Sequence, residues 1–355
     1  MQRAAFQFRL DGEPIFCEPF GNGHINETYI LKTDRSHAYI LQKVNHHVFR
    51  DVPALMRNIA LVTRYLASYD PDPRHVLTLI PTKDGGDFYL NESGEYWRVY
   101  DFITDSVCLD TASSAENLYQ SGVAFGRFQS MLSHFPADTL SETIPHFHDT
   151  PWRYEALHEA IRKDSAGRAQ EVQSEIAFAL SREDEAGLMV RMLRDGQLPL
   201  RVTHNDTKLN NVMLDAVTFT PLCVIDLDTV MPGLAANDFG DTIRSGASTA
   251  AEDEKDLSKV SLSLELFQAY ARGFLGACGA GLTQNELDTL SMGAKLMTLE
   301  CGVRFLTDYL SGDTYFRIHR KEHNLDRCRT QFKLVLDMEI KWDKLQEIIR
   351  KESGR

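Results

Sequence analysis

Five polar residues in one short stretch carry types and spacings that could do chemistry together: His204, Asp206, Lys208, Asn211 and Asp226. Asn211 and Asp226 offer an amide oxygen and a carboxylate, hard donors suited to a divalent cation held on a polyphosphate. Asp206 is a separate carboxylate, able to receive or orient the proton of an attacking hydroxyl. Lys208, two positions later, sets an ammonium where a transferred phosphoryl group would carry negative charge. The chemistry such a set implies is phosphoryl transfer. The competing reading is a surface hairpin whose polar flanks only cap and solvate it. The ordered run of His, Asp, Lys, Asn and Asp favours the chemical reading over that one.

A hairpin must position these residues. Val212 to Leu214 and Leu222 to Ile225 read as two strands, with Thr218 to Pro221 as the turn between them. Asn211 lies just before the first strand and Asp226 just after the second, so antiparallel pairing brings them together. His-x-Asp-x-x-x-x-Asn followed by a strand-borne Asp has the form of the kinase catalytic loop and its metal-binding carboxylate.

Upstream, residues to about 103 read as strands around one helix. Ile15 to Phe20, Glu27 to Leu31 and Ala38 to Val44 are short β-rich runs. Asp51 to Tyr69 has helical spacing, with Leu55, Ile59, Val62 and Leu66 on one face and Asp51 as N-cap. Val76 to Pro81, Phe88 to Leu90 and Tyr96 to Ile103 supply further strands. Beyond Thr104 helical periodicity prevails, with candidates at Ala115–Leu132, Trp152–Arg162, Ala169–Ser181, Leu257–Gly276, Glu286–Leu310 and Asp326–Lys351. The expected class is α+β, a protein-kinase-like bilobal layout. Residues 1–103 form a β-rich nucleotide-binding lobe, and residues 104–355 a helical lobe with the catalytic loop, metal site and acceptor pocket.

Between the first two strands, Gly21-Asn22-Gly23-His24 is a candidate phosphate cover, because glycine lets backbone N–H groups approach phosphate oxygens. His24 could face the phosphates or the acceptor, or be a surface turn histidine. A protein kinase would next show a strand lysine paired with a helix glutamate. Lys43 stands on the strand, but the helix carries no carboxylate from Val52 to Ser68. Side chains alternate along a strand, so Gln42 faces the other way. Either residue could be the one that meets the nucleotide.

Composition sets outer bounds. The chain has 355 residues, 43% hydrophobic and 25% charged, which suits a globular protein of two lobes. A net charge of −13 argues against a nucleic-acid surface and against anionic membranes. The six cysteines show no metal-binding spacing and suit a reducing, cytoplasmic setting. The N-terminal residues lack the apolar stretch of a signal peptide, and no segment reaches the roughly 18 apolar residues of a membrane span. The expectation is a soluble cytoplasmic protein with no obligate protein partner.

Several motifs together resemble the N-acetylhexosamine 1-kinases, within the aminoglycoside/choline phosphotransferase branch of the kinase-like fold. They are the glycine loop, Tyr39-Ile-Leu-Gln-Lys-Val-Asn45, Ala54-Leu-Met-Arg-Asn58, Tyr96-Trp-Arg-Val-Tyr100, His146-Phe-His-Asp-Thr-Pro151, Val202 to Asn211, Ile225-Asp-Leu-Asp-Thr229, Asp238-Phe-Gly-Asp241 and Glu300 to Leu306. The resemblance runs from about residue 14 to residue 340, and Lys208 stands where aminoglycoside kinases commonly have histidine. It implies ATP- and Mg²⁺-dependent phosphorylation of the anomeric hydroxyl of N-acetylglucosamine or N-acetylgalactosamine, with the nucleotide in a cleft between the lobes. Asp206 is then the catalytic carboxylate, assisted by Lys208, and Asn211 and Asp226 are the metal ligands. Tyr100 to Ile103, including Phe102, forms the hinge that meets the adenine. Asp206, Asp228, Arg304 and Tyr315 hold the sugar.

Bland readings stand beside these. Arg304 could pair with Glu300 one helical turn earlier, Tyr315 could pack in a core, and Asp228 could support the site's other residues without touching the sugar. Asp238 and Asp241 read as braces of the catalytic loop, and the His146-Phe-His148 pair as structural rather than zinc-binding. Other readings of the whole chain are a kinase for an aminoglycoside, choline, homoserine or another sugar, a metal-dependent hydrolase using His204, Asp206, Asp226 and Asp228, and a non-catalytic nucleotide-binding relative.

Overall fold

The computed structural model describes residues 3–355 apart from 22 and 24. Its contacts divide the chain into two compact units. The first takes the chain up to 108 with residues 131–145 and 211–232, and the second takes residues 109–130, 146–210 and 233–355. The α+β class expected from the sequence is the one observed, with the sheet in the first unit and most of the helix in the second.

In the first unit, β1 (Pro14–Pro19), β2 (Glu27–Thr33), β3 (Ala38–Val44), β4 (Leu79–Ile80), β5 (Tyr89–Leu90) and β6 (Tyr96–Asp101) form an antiparallel sheet. Its order is β1-β2-β3-β6-β4, with β5 also on β6. Strand alternation sends Leu31, Tyr39, Leu41, Trp97 and Val99 to one face, where they bury Phe8, Ala4 and Ala5. Helix α1 (Val52–Tyr69) starts as expected, the Asp51 carboxylate accepting from the Ala54 amide at 3.0 Å. Leu55, Ile59, Val62 and Leu66 are all buried. The predicted hairpin is β8 (Val212–Asp215) and β9 (Pro221–Val224), and β8 also pairs with β7 (Ser106–Val107). Arg74 reinforces that attachment by donating to Asp215 at 3.1 Å.

In the second unit the helices are α2 (Ala115–Met131), α3 (Thr150–Lys163), α4 (Gln173–Leu180), α5 (Glu183–Ala186), α6 (Leu188–Arg194), α7 (Ala235–Gly246), α8 (Leu264–Cys278), α9 (Gln284–Leu310), α10 (His323–Ile340) and α11 (Trp342–Ser353). Helix α9 is buried along most of its length and packs on α7, α10 and α3. At its crossing with α7 the backbones nearly touch. A Cβ on Gly240 would sit 2.3 Å from the Gly293 carbonyl oxygen, so no side chain fits there. Among the described residues no helix is long and apolar enough to cross a membrane.

Tertiary contacts overrule periodicity in several places. The expected helix Leu257–Gly276 breaks before α8, because the Leu262 amide donates to Asp337 at 2.6 Å and Ser263 caps a fresh start at Leu264 by accepting from the Leu266 amide. The expected helix Asp326–Lys351 breaks between α10 and α11, where the Lys341 ammonium donates to the Leu262 carbonyl and to Asp337. Helices α5, α6 and α7 are not anticipated by the sequence reading. The expected strand Val76–Pro81 shortens to β4.

Candidate active site

In the second unit a short strand, Arg201–Thr203, delivers the chain to the loop carrying His204, Asp206 and Lys208. His204 is fully buried, its ring edge-on to Phe125 at 5.4 Å and Phe128 at 6.0 Å, both from α2. The Asp206 amide donates to His204 Nδ1 at 3.3 Å, so the histidine supports the loop backbone. Asp238 and Asp241, expected to brace the loop, do so from α7. One Asp238 oxygen accepts from the His204 amide at 2.9 Å and from Gln129 Nε2 at 2.8 Å, and the other accepts from the Asn205 amide at 2.8 Å. Burial pushes the Asp238 carboxyl up, and these donors oppose that push. The Thr207 amide donates to Asp241 at 3.0 Å, and the Thr207 hydroxyl donates to the Asp238 carbonyl at 2.6 Å.

Asp206 and Lys208 are brought together, Lys208 Nζ lying 2.7 Å from Asp206 Oδ1. Burial alone would push the Lys208 ammonium down, but Asp206 and Asp241 outweigh it and hold it above the ordinary lysine value. Lys208 therefore stays a cation throughout the neutral range. Asp241 is held low: burial would raise it, and Arg244, Lys208 and His148 prevail.

His146 and His148 go to different partners. His146 bonds Asp149 at 2.8 Å and stacks on Trp152. His148 bonds Glu300 at 3.0 Å and the Asn205 carbonyl at 3.2 Å, tying α9 to the loop. The second oxygen of Glu300 accepts from the Thr150 hydroxyl at 2.7 Å. Glu300 thus directs its oxygens to His148 and Thr150, while Arg304 reaches the Tyr315 hydroxyl at 3.5 Å. Tyr315 is 71% exposed, which removes the core-packing reading.

Arg304 and Tyr315 line a cavity of about 250 Å³ together with Trp152, Arg153, Asp308 and Phe316. Arg304 lies near the faces of Phe147, Tyr315 and Phe316, 5.5 to 5.9 Å from the ring centres. Arg153 donates to the Phe147 carbonyl at 2.8 Å. Its Nε is buried without a hydrogen-bond partner among the described residues. Burial, then the neighbouring Arg304, pushes Arg153 below the ordinary arginine value. Among the described residues of the wall the carboxylate is Asp308, which is 4% exposed and already accepts from the amides of Thr314, Tyr315 and Phe316 and from Asn324 Nδ2. It shapes the 314–316 turn that presents Tyr315.

The first unit holds the other candidates. At the base of the hairpin the Ile225 amide donates to the Asn211 carbonyl at 2.9 Å, so Asn211 precedes β8 and Asp226 follows β9 as expected. Asp226 adopts a left-handed conformation (φ 59°, ψ 57°), sparsely populated for a residue with a Cβ. The donor set, an amide oxygen and a carboxylate, fits a hard divalent cation. Asp228, two residues on, is 3% exposed. Its carboxylate accepts Arg98 in a two-pronged fork, Nη2 to Oδ2 at 3.0 Å, and Asn26 Nδ2 at 2.6 Å. Any contact of Asp228 with an acceptor would share its carboxylate with Arg98.

Gln42 and Lys43 part company. Gln42 donates to Thr28 at 3.0 Å and accepts from Arg98 Nε at 2.9 Å, on the side of Asp228. Lys43 lies on the opposite face, paired across the strands with Glu27 and with Glu95 at 3.5 Å. Tyr100 is buried within β6, its backbone aligned between Ile40 and Leu79. The Phe102 amide donates to the Ala38 carbonyl at 3.3 Å, and its ring meets Phe20 edge-on at 6.0 Å. Gly21 has φ +75°, and Gly21 and Gly23 are both exposed. Asn22 and His24 lie outside the described residues. Arg98, Asn26, Asp308 and Arg153 were missed from sequence. Only Arg98 carried a signal, a lone charge inside the apolar run Tyr96–Tyr100.

Residues 17–273 match the model of the phosphotransferase enzyme family (APH). Solved structures of similar fold include an amicoumacin kinase bound to AMP-PNP, Ca²⁺ and amicoumacin (TM-score 0.61, 14% identity, 93% of this chain and 91% of that one). A microcompartment-associated aminopropanol kinase matches at TM-score 0.61 and 14% identity, over 97% of each chain. A choline kinase from Cryptosporidium parvum matches at TM-score 0.59 and 14% identity, over 96% of this chain and 93% of that one. With the braced Asp206 loop in one unit and the Asn211–Asp226 hairpin in the other, the chain belongs to the phosphotransferase enzyme family and has its protein-kinase-like α+β fold.

Proposed function

We propose that the protein transfers the γ-phosphoryl group of ATP to the anomeric hydroxyl of an N-acetylhexosamine, N-acetylglucosamine or N-acetylgalactosamine, giving the sugar 1-phosphate. The observation that carries the choice of acceptor is the cavity around Arg304. Its charged wall is cationic, Arg153 and Arg304, and its carboxylate, Asp308, is consumed by N–H donors. A cationic amine such as choline would meet two guanidinium groups and no available anion. A neutral sugar suits forked donors that accept hydroxyl and acetamido oxygens, and the aromatic rings suit its apolar face. At about 250 Å³ the space lies below the roughly 300–1,000 Å³ of drug-sized sites, which favours one ring over a multi-ring aminoglycoside.

In this reading Asp206 orients the O1 hydroxyl and takes its proton as the oxygen attacks the γ-phosphorus. The bond to the ADP oxygen breaks in line. A hemiacetal hydroxyl is more acidic than an ordinary alcohol, so the step asks little of its proton acceptor. Lys208, which pairs with Asp206, would turn to the γ-phosphate as charge develops there. Asn211 and Asp226 would hold Mg²⁺, which when bound neutralises the phosphate oxygens. Gly21, Asn22, Gly23 and His24 are assigned to the phosphates, Gln42 rather than Lys43 to the nucleotide's strand side, and Tyr100 and Phe102 to the adenine hinge. Asp228, Arg304 and Tyr315 are assigned with Asp206 to the acceptor. The burial of His204 between aromatic rings disfavours the hydrolase reading, which needs that imidazole at the reacting atoms.

The test is phosphate transfer from ATP to N-acetylglucosamine, N-acetylgalactosamine, glucose, galactose, choline and an aminoglycoside, with the product's phosphate located by NMR. Phosphate on O1 of the N-acetylated sugars is the expected result. Turnover confined to the amines would reject the acceptor assignment.

A further inference from the structure

Among its described residues the first unit lacks the pairing by which protein kinases fix their nucleotide, a strand lysine held by a helix glutamate. Lys43 is engaged by Glu27 and Glu95 on the other face of the sheet, and α1 has no carboxylate along the expected stretch. In their place a different cation is buried. Arg98, on β6, is 1% exposed and has its guanidinium spread over three elements. It donates to Gln42 of β3, to Asp228 in a fork, and toward Met56 Sδ of α1 at 3.8 Å.

We propose that Arg98 is the positioning cation of the candidate metal-binding turn. By clamping Asp228 it fixes the carboxylate of Asp226 two residues earlier. This rests on the reading of Asp226 as a metal ligand and does not depend on which acceptor is phosphorylated. Asp226 sits in left-handed backbone, a conformation that persists where its surroundings over-determine it. The constraints lie on both sides. Upstream, the Ile225 amide is tied to Asn211, and downstream the tight turn Leu227–Thr229 is held at its middle residue, Asp228, by the Arg98 fork. Helix α1 secures the next carbonyl, Asn58 Nδ2 donating to Val230 at 3.0 Å and to Ser141 at 2.7 Å.

Asn26, at the end of the glycine loop, bonds Asp228 at 2.6 Å and accepts the Asn45 amide at 2.9 Å. The loop that would cover phosphates and the turn that would hold their metal thus meet on one carboxylate. A buried ion pair is weak support for stability, since apolar replacements often fold as well or better. A fork holding a ligand-bearing turn accounts for its presence on geometric grounds.

The experiment uses Arg98→Lys, Asp228→Asn and the charge-neutral double variant Arg98→Met with Asp228→Asn, beside Asp226→Ala. Binding of AMP-PNP is measured without metal by calorimetry. Mn²⁺ is then titrated onto the nucleotide complex and its free fraction read by electron paramagnetic resonance. The expected result is AMP-PNP binding within about twofold of the parent, with Mn²⁺ affinity reduced about 10- to 100-fold in each Arg98 and Asp228 variant. A merely structural role would lower the melting temperature and both affinities together. That outcome, or Mn²⁺ affinity within about threefold of the parent in a folded variant, overturns the proposal. If Asp226→Ala abolishes Mn²⁺ binding while the Arg98 variants keep it, the positioning role alone is wrong. If Asp226→Ala leaves Mn²⁺ affinity unchanged, the metal assignment falls and this proposal with it.

Discussion

Replacing Asp238 by asparagine tests whether the catalytic loop is held by α7. The native carboxylate accepts two N–H groups on one oxygen and a third on the other, and it is fully buried. Asparagine has one acceptor oxygen, so its amide nitrogen must face a donor, either the Asn205 amide or the pair from His204 and Gln129. One buried donor left unsatisfied costs about 1–3 kcal/mol, and the surviving bonds fall from charge-assisted to neutral strength, another ~1 kcal/mol or more. Relief of carboxylate desolvation offsets part of this. The net expectation is a destabilisation of about 2–4 kcal/mol. For a unit of roughly two hundred residues that lowers the melting temperature by about 5–15 °C. Because Asp206 follows directly on the two amides that move, turnover should fall on the order of 10²-fold, as expected for a reacting group displaced by ~1 Å. Nucleotide binding, assigned to the first unit, should change little. Thermal and urea unfolding with steady-state kinetics measure all of this. A melting shift under about 2 °C with turnover within about threefold of the parent would refute the reasoning.

Asp206→Asn should remove nearly all turnover while nucleotide binding persists; retention of more than about a tenth of the activity, a loss under ~1.4 kcal/mol, would exclude it as the essential carboxylate. Arg304→Ala should raise the acceptor KM about tenfold or more and leave the ATP KM nearly unchanged, and equal effects on both would remove it from the acceptor cavity. The His148–Glu300 pair sets a pH window for stability. Burial would lower His148, but Glu300 prevails and raises it above 6.5, so its contribution is complete below about 6.5 and is lost as pH rises through the folded value. Burial would raise Glu300, but His148 holds it below 4.5, so that contribution is lost only as pH falls through the acid range. The melting temperature should decline from pH 6.5 towards 9 in the parent and less so in His148→Gln. Parallel declines would count against the pair.

Local pattern accounts for much of what the sequence by itself determined. Asp51 capping α1, the apolar stripe Leu55–Leu66, the hairpin around Thr218–Pro221 and the strand Ala38–Val44 depend on neighbours a few residues away. Chemical type and spacing likewise made Asp206, Lys208, Asn211 and Asp226 stand out, and alternation put Gln42 and Lys43 on opposite faces. Tertiary structure decided which face was which. β2 brought Glu27 to Lys43, while β6 brought Arg98 to Gln42. Arg98 and Asp228 lie 130 residues apart, and His148 and Glu300 lie 152 apart. No propensity or periodicity encodes such pairings, because their partners meet only after the chain has closed long loops. The helix breaks before α8 and after α10 share that origin. Both lie around Asp337, whose carboxylate takes the Leu262 amide just before α8 and the Lys341 ammonium at the end of α10.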